Sequence, residues 1–272
     1  MRAVSLHPDV ITVTSAVLSV NCVIVRGALA GAGAGGEHGE GAGETFVIDS
    51  PVLPDELDAL ATLLEQAQFP QPNGLLATHG DWDHLLGRLA FPEVALGCAE
   101  STAERLQAAP GEAQRGLRSF DEELMIERTR PLALGSLQAL PVPGRCEIGE
   151  RELELHPADG HTIDGMAISM PWAGVLVVGD YLSSIEIPAL NAGDTVNAYL
   201  ATLERLRPLV RQARQVVPGH GRASDGAGAL AVLEEDVAYL KELRERGEDA
   251  ELPPTRRSRR QRAIHAENVR AV

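Results

Sequence analysis

Apolar residues in the first half of the chain alternate between short, nearly continuous runs and segments with the spacing of a helix face. Runs rich in Val, Ile and Leu predict strands, because a strand covered on both faces needs little polar surface. Leu57, Leu60 and Leu64 predict a helix that begins near Pro54. The predicted strands are 10–26 (two or three strands), 44–49, 74–77 and 93–97, and the predicted helices are 54–68, 85–89 and 99–108.

The second half of the chain shows the same alternation. Residues 174–179 form a near-continuous apolar run, which is typical of a buried central strand. Val196, Tyr199 and Leu206 follow helical spacing, with Asp194 as the candidate cap. The other predicted strands are 137–143, 146–149 and 152–156, which would begin a second half of the fold, and 215–217; residues 224–246 are a predicted long helix.

Three segments interrupt this alternation. Residues 31–44 are a Gly-rich, low-complexity stretch that predicts a flexible loop, so His38 within it is interpreted as a solvated side chain. Residues 110–131 are highly charged and predict a solvated helical surface, with an insertion near the site as the alternative. Residues 253–272 form a basic tail with five arginines between positions 256 and 262. A solvated or chain-packing helix is favoured there, with binding of RNA or another anion as the alternative.

Length and composition favour a single large α/β domain that spans residues 1–272. Hydrophobic residues make up 44% of the chain but aromatic residues only 3%, so aliphatic side chains must fill the core. The formal net charge of −15 disfavours binding to nucleic acids and to membrane surfaces. No apolar run approaches the roughly 18 residues that a membrane span needs.

Cysteine usage and the amino terminus indicate the compartment. Cys22, Cys98 and Cys146 are odd in number and far apart, which argues against a disulfide framework and a zinc ribbon. Polar residues between Val10 and Val25 interrupt any apolar core of a signal peptide. A soluble, cytoplasmic protein with a small-molecule substrate is predicted, and a homodimer is left open.

The densest chemistry lies just after the predicted strand 74–77, where His79, Asp81, Asp83 and His84 fall within six residues. Ionised carboxylates inside a fold must be paired or coordinated, so this cluster predicts a bound cation. An apolar helical pattern follows the cluster. These side chains are therefore expected on a strand-to-helix loop, where α/β proteins usually place their chemistry.

This segment resembles the His-x-His-x-Asp-His signature of the metallo-β-lactamase superfamily, with Asp81 where the second histidine is usual. Further matching motifs follow in the family's order, each beside an apolar run: Gly160-His161-Thr162, Val177-Val178-Gly179-Asp180 and Val217-Pro218-Gly219-His220-Gly221. The resemblance implies an αββα sandwich of four layers, in which two mixed β-sheets pack face to face and helices cover the outer faces.

The resemblance also implies a dinuclear metal site. Site one would take His79, Asp81 and His161, site two would take Asp83, His84 and His220, and Asp180 would bridge the two. Two cations that share a water lower its pKa and polarise the substrate oxygen that it attacks. Asp83 is the predicted catalytic residue, because it would also orient the hydroxide or carry a proton to the leaving group. Asp49 is expected to support the ligands, while Trp82, Tyr181 and Ser183 are pocket candidates.

Asp81 changes the expected charge of the site. A histidine at this position would leave one net positive charge, whereas an ionised Asp81 makes the occupied site formally neutral. Oxygen ligands suit Fe or Mn better than an all-imidazole set does, while the remaining histidines still suit Zn. The resemblance implies two divalent ions; Zn is favoured, and Fe or Mn is compatible with Asp81. The alternative is that Asp81 is only a capping or hydrogen-bonding group and that site one is incomplete.

The implied function is a metal-dependent hydrolase, in which a metal-bridging hydroxide attacks a small ester, thioester or lactone. Two alternatives stay open. One is a di-iron or mononuclear-iron oxidoreductase on the same fold, such as a sulfur dioxygenase, because a carboxylate at position 81 resembles the flavodiiron proteins. The other is a non-catalytic protein that uses metal only to stabilise its fold.

Overall fold

A computed structural model describes residues 1–27, 43–191 and 195–272 of the chain. Within these ranges the chain forms two β-sheets and seven α-helices. Most of the predicted Gly-rich loop, including His38, and the candidate cap Asp194 lie outside the described residues.

The first sheet has seven strands that lie side by side in sequence order. They are β1 (Arg2–His7), β2 (Val10–Thr14), β3 (Asn21–Arg26), β4 (Thr45–Ile48), β5 (Gly74–Leu76), β6 (Leu96–Ala99) and β7 (Leu137–Leu140). β1 to β4 pair antiparallel, whereas β4 to β7 pair parallel. Parallel neighbours need long crossovers, and helices supply them here.

The second sheet has five strands in the order β12-β11-β10-β9-β8. They are β8 (Gly144–Ile148), β9 (Arg151–Pro157), β10 (Met166–Met170), β11 (Val175–Val177) and β12 (Gln215–Val217). Only β11 and β12 pair parallel, so this sheet is also mixed.

The helices are distributed over both halves of the chain. They are α1 (Pro54–Gln66), α2 (Gly87–Ala90), α3 (Glu100–Ala108), α4 (Glu112–Leu124), α5 (Val196–Gln212), α6 (Gly226–Arg246) and α7 (Arg259–Ala271). A single 3₁₀ turn, Trp82–His84, precedes α2. The side chain of Thr195 caps α5 by accepting a hydrogen bond from the backbone N–H of Ala198.

Three apolar layers hold these elements together. The middle layer joins the two sheets, with Val23 and Ile48 of the first sheet packed in one cluster with Leu155 and Ile168 of the second. A second cluster lies between the first sheet and α1 to α4, and a third lies between the second sheet and α5 to α7. This arrangement confirms the predicted αββα sandwich, because a sheet with two apolar faces must be covered on both sides.

Two elements differ from their predictions, and a third forms the predicted helical surface but also contributes to the core. β1 was not predicted, because its residues are exposed or half-exposed and form no continuous apolar run. Residues 137–140 were predicted to start the second half of the fold, but β7 closes the first sheet by pairing with β6. The charged segment 110–131 contains the regular helix α4, whose Leu117 packs into the core.

None of the helices in the described ranges is both long enough and apolar enough to cross a bilayer.

Candidate metal centre

The ends of strands from both sheets meet at one edge of the sandwich and carry the polar cluster there. His79 follows β5 of the first sheet, and the 3₁₀ turn after it carries Asp83 and His84. Asp180 follows β11 and His220 follows β12 of the second sheet. These are carboxyl ends of strands with parallel neighbours, which is where α/β sheets place their ligands.

The structure brings the predicted site-one residues together. The Nε2 atoms of His79 and His161 each lie 3.6 Å from Oδ2 of Asp81. One ligand-type atom from each of these three residues lies within 4.8 Å of the other two. His161 lies on the loop between β9 and β10, so this group combines residues of both halves of the chain.

The predicted site-two residues form a second group. The Nε2 atom of His220 lies 3.4 Å from Oδ2 of Asp83, and Nε2 of His84 lies 4.0 Å from the same oxygen. All three side chains are buried. As in the first group, their ligand-type atoms lie within 4.8 Å of one another.

Asp180 lies between the two groups. Its Oδ2 is 3.3 Å from Nε2 of His161 and 3.2 Å from Nε2 of His220. Its Oδ1 is 3.1 Å from Nε2 of His84, and Oδ2 lies 3.9 Å from Nε2 of His79. One carboxylate therefore reaches imidazoles of both groups, which is the geometry that a bridging ligand requires.

The Nδ1 atoms of the four histidines face away from the cluster. His161 Nδ1 lies 3.0 Å from the carbonyl oxygen of Ala189, and His220 Nδ1 lies 2.9 Å from that of Leu18. A carbonyl can only accept, so both rings carry a proton on Nδ1 and turn Nε2 towards the cluster, where its lone pair would be available to a bound cation.

Asp49 orients the other two histidines. Its Oδ2 lies 3.0 Å from Nδ1 of His84 and accepts a hydrogen bond of 2.9 Å from the hydroxyl of Thr78. That hydroxyl lies 3.1 Å from Nδ1 of His79 and can accept its N–H, because its own proton points to Asp49. Asp49 thus has the supporting position that the sequence predicted: it lies beside His84 outside the cluster and reaches His79 through the hydroxyl of Thr78.

The charges of the cluster are strongly coupled. Burial by itself lowers the pKa of His84, but the carboxylates of Asp180 and Asp49 raise that pKa well above its usual value. Burial also lowers the pKa of His220, yet Asp180 raises it to about 9. Burial would raise the pKa of Asp180, but His220 and His84 hold it well below the usual range. Protons therefore occupy these imidazoles when no cation is bound, and a cation must displace them.

Several buried atoms of the cluster make no hydrogen bond of good geometry with the described parts of the chain. They are Nε2 of His79, both ring nitrogens of His84, Nε2 of His161 and Oδ1 of Asp180. Unpaired buried polar atoms are rare because each costs free energy. Four inward-facing imidazole nitrogens and three carboxylates are a suitable donor set for Zn, Fe or Mn, so these residues fit the cations that the sequence predicts.

Sequence reasoning missed three residues that surround Asp81. Arg105 Nη2 donates to Asp81 Oδ1 at 2.7 Å, and its Nη1 donates to Asp164 Oδ1 at 2.8 Å. Asn191 Nδ2 lies 3.4 Å from Asp81 Oδ2. An indirect signal existed, because Asp81 adds a half-buried negative charge to the cluster, and such a charge favours a nearby cation. The sequence alone does not indicate which arginine provides it.

A cleft of about 600 Å³ opens beside Asp81. Trp82 lines it and packs against Phe120 of α4, with ring centroids 4.7 Å apart. Ile163 is 59% exposed at the same cleft, and Arg105 lies in its wall. The helix α4, predicted as a solvated surface or an insertion, therefore supports a wall of the cleft next to the cluster.

The remaining candidates lie behind the cluster or away from it. The hydroxyl of Tyr181 accepts from the backbone N–H of His161 and donates to the carbonyl of Asp159, each at 2.8 Å. Ser183 donates to the carbonyl of His220. Both side chains are buried, so their contacts position ligand backbones. His156 contacts Ser169 on β10, in keeping with its predicted structural role.

The fold and the cluster define a class of protein: an αββα sandwich with a histidine–carboxylate centre at the edge shared by its two sheets. The profile of the metallo-β-lactamase superfamily matches residues 40–220, which is well over half of the chain. The chain belongs to this superfamily, whose members are mostly hydrolases.

Similar proteins support this assignment. A metallo-β-lactamase type 2 from Bacillus sp. (strain 170) is 27% identical over 179 residues, which cover 59% of this chain and 68% of that protein. A metallo-β-lactamase family protein from Thermus thermophilus superimposes with a TM-score of 0.63 at 20% identity, covering 89% of this chain and 82% of that one.

A third similar protein is a sec-alkylsulfatase from Pseudomonas sp., with a TM-score of 0.69 at 15% identity. The alignment covers 99% of this chain but only 49% of the sulfatase, so this chain spans about half of that protein. At these identities, the solved structures show a shared fold and nothing further about substrate.

Proposed function

We propose that the protein is a metal-dependent hydrolase that uses two divalent cations, with Zn favoured, to cleave a small ester, thioester or lactone. One observation carries this proposal: Asp180 contacts His161 and His220 through one oxygen and His84 through the other, and so lies between both ligand groups. Site one would be held by His79, Asp81 and His161, and site two by Asp83, His84 and His220.

When bound, a pair of cations in such a site lowers the pKa of a shared water and polarises the carbonyl that the water attacks. Asp83 is the residue proposed to accept the proton of that water and pass it to the leaving group. Its Oδ2 faces His220 and His84 inside the cluster, and it is buried with 8% exposure. Because this position is buried, bulk water has little access to the proposed proton transfer.

The cleft beside Asp81 supports a small acyl substrate. Leu106, Trp82 and Ile163 provide apolar surface on its walls, while Asn191 provides an amide and Arg105 a guanidinium. Arg105 is already paired with Asp81 and Asp164, so it is not a free cation for a carboxylate or phosphate group of the substrate. A neutral or weakly polar acyl group matches this lining best.

A substrate panel with matched variants tests the proposal. Purified protein is assayed with ester, thioester, lactone and phosphodiester substrates after its metal content has been measured. Asp83→Asn is expected to lower kcat/KM by about 10²- to 10⁴-fold, because it removes the proton acceptor. Asp121→Asn is the control, since Asp121 pairs with Arg128 outside the cluster.

The outcomes separate the alternatives. About two bound Zn per chain and a loss of activity confined to Asp83→Asn support the hydrolase. Iron with visible absorbance and no hydrolysis would favour the iron oxidoreductase, which the oxygen ligand Asp81 also suits. Bound metal with equal, background-level activity in both variants and the wild type would favour a non-catalytic protein.

A further inference from the structure

The two carboxylate oxygens of Asp81 have different partners. Oδ1 accepts a hydrogen bond of 2.7 Å from Nη2 of Arg105. Oδ2 lies 3.6 Å from Nε2 of both His79 and His161, and Nδ2 of Asn191 approaches the same oxygen at 3.4 Å. One oxygen of this carboxylate is therefore occupied by the guanidinium, and only the other is directed to the two imidazoles of site one.

Arg105 is itself held in place by Asp164. Nη1 of Arg105 donates to Oδ1 of Asp164 at 2.8 Å, and the side chain of Asp164 is fully buried. The second oxygen of Asp164 accepts the backbone N–H of Gly80 at 2.9 Å. Because Gly80 precedes Asp81 in the chain, the guanidinium is anchored to the same loop as the carboxylate that it contacts. A planar guanidinium fork can hold two carboxylates at once in this fixed arrangement.

We propose that Arg105 is a positioning residue that makes Asp81 a one-oxygen ligand, so that this carboxylate offers a single donor atom as an imidazole does. The inference rests on the proposed function, because it concerns a cation held by His79, Asp81 and His161. Arg105 also offsets part of the charge of Asp81; the offset is partial because Asp164 shares the same guanidinium.

Loss of Arg105 changes the number of oxygen atoms that Asp81 can offer to a cation. It also changes the affinity of site one for that cation. Oδ1 of Asp81 loses its donor and can turn inward, so the carboxylate can bind a cation through both oxygens. A site richer in oxygen suits Mn²⁺ better relative to Zn²⁺. Loss of a hydrogen-bond partner that orients a ligand also weakens binding, and the typical cost is about 10- to 100-fold in metal affinity.

The experiment measures metal binding and does not depend on turnover. Wild type and Arg105→Met, both full-length, are titrated with Zn²⁺ against a chromophoric chelator. They are then equilibrated with equimolar Zn²⁺ and Mn²⁺ for elemental analysis. Arg105→Met is expected to weaken one of two zinc sites by about tenfold and to raise the bound Mn-to-Zn ratio. Co²⁺ spectra of both proteins report the change in coordination at that site.

Two further variants separate positioning from general destabilisation. Arg128→Met removes a comparable, partly buried ion pair, between Arg128 and Asp121, and is expected to leave zinc affinity and the Mn-to-Zn ratio unchanged. Arg105→Lys retains the positive charge but lacks the planar guanidinium that can donate to two carboxylates. Its zinc affinity is therefore expected to fall between those of wild type and Arg105→Met.

The decisive comparison places Arg105→Met in an Asp81→His background. An imidazole has no second oxygen for Arg105 to hold, so Arg105→Met is expected to cause no loss of zinc affinity there. An equal loss in both backgrounds would overturn the inference, as would an unchanged zinc affinity and Mn-to-Zn ratio in Arg105→Met alone. If wild type itself binds no divalent cation, the proposed function fails instead.

Discussion

Gly219 lies against Asp180 so closely that no side chain fits between them. A Cβ on residue 219 would overlap Oδ1 of Asp180 and come within 3.0 Å of Cε1 of His84. The N–H of Gly219 also donates to the carbonyl of Gly179, and its carbonyl accepts from the N–H of Asn21. The backbone of one residue therefore sets the position of the carboxylate that contacts both ligand groups.

We expect Gly219→Ala to displace Asp180 and weaken both metal sites. The added methyl group should lower the free energy of unfolding by about 1–3 kcal/mol. It should also lower zinc affinity by about tenfold or more. Urea denaturation and chelator competition measure the two effects. Gly87→Ala is the control, because its Cβ would make only ordinary contacts of 3.5 Å with Leu75. Equal behaviour of the two variants would contradict this account.

The helix α7, in the carboxyl-terminal tail, contacts a segment that orients a candidate ligand of the metal centre. Oε1 of Gln261 accepts the N–H of Ile187 at 2.7 Å, and Oδ1 of Asn268 accepts the N–H of Leu190 at 2.9 Å. Between these anchored residues lies Ala189, whose carbonyl oxygen holds Nδ1 of His161. The helix thus fixes the segment that orients a candidate ligand.

Arg256, which precedes α7, is an internal residue. Its side chain is 1% exposed and lies 2.5 Å from Asp236, and it also contacts Glu235 and the carbonyls of Ser183 and Glu186. Arg256 is therefore not accessible to an external anion, whereas anion binding by the other arginines of the basic tail stays a prediction. The chain-packing interpretation describes it correctly.

We expect Arg256→Met to lower the free energy of unfolding by about 3–5 kcal/mol, because it leaves Asp236 buried without its partner. Arg257→Met is the matched control from the adjacent position. Arg257 has an exposed side chain, and its replacement should change stability by less than about 0.5 kcal/mol. Chemical denaturation of both variants measures the difference. A similar, small effect of the two substitutions would be inconsistent with a structural role for Arg256.

At the scale of the whole molecule, each candidate metal site draws its residues from both sheets. His79 and Asp81 follow a strand of the first sheet, whereas His161 lies in the second half. The other site combines Asp83 and His84 with a histidine that follows β12. A cation in either site would therefore link the two sheets, and metal binding should stabilise the folded chain as a whole.

The pH dependence of stability should depend on bound metal. Without metal, the pKa of His220 is raised to about 9 in the folded state, whereas a histidine in the unfolded chain has a pKa near 6.5. Protonation of His220 therefore stabilises the folded state, and this stabilisation is fully present below about pH 6.5. That stabilisation is lost as the pH rises through about 9. His84 and His161, whose pKa values are also raised, act in the same direction.

We therefore expect the unfolding free energy of chelator-treated protein to fall between pH 6.5 and 9. Zinc-loaded protein should show no such fall, because its ligating imidazoles are already deprotonated. Urea titrations at both pH values, with chelator or with stoichiometric Zn²⁺, give the comparison. His156→Gln, outside the cluster, should retain the wild-type difference. A fall of equal size in the zinc-loaded and metal-free proteins would argue against metal ligation by these histidines.

Some expectations from composition stay predictions. These are a single domain over residues 1–272, a cytoplasmic location, a small-molecule substrate, no binding to nucleic acid, and a homodimer as an open possibility.

Local patterns predicted most of the elements because burial imposes a period on the chain. The apolar run before Asp180 became β11, and the spacing of Val196, Tyr199 and Leu206 became α5. Boundaries shifted by a few residues, since the ends of elements are decided by capping and pairing. The half-exposed β1 and the pairing of β7 with β6 were not predictable in this way, because neither leaves a periodic apolar signal.

The sequence by itself determined which side chains could bind a cation and in what order they follow the strands, because chemical type and hydrophobic period are local properties. Only the tertiary structure decided how they meet. Asp180 lies between two groups, and each group joins residues that are far apart in the chain, such as His79 with His161 and His84 with His220. Arg105 reaches Asp81 across 24 positions and Asp164 across 59. Such contacts depend on how the sheets pack and where loops end. No spacing along the chain encodes them.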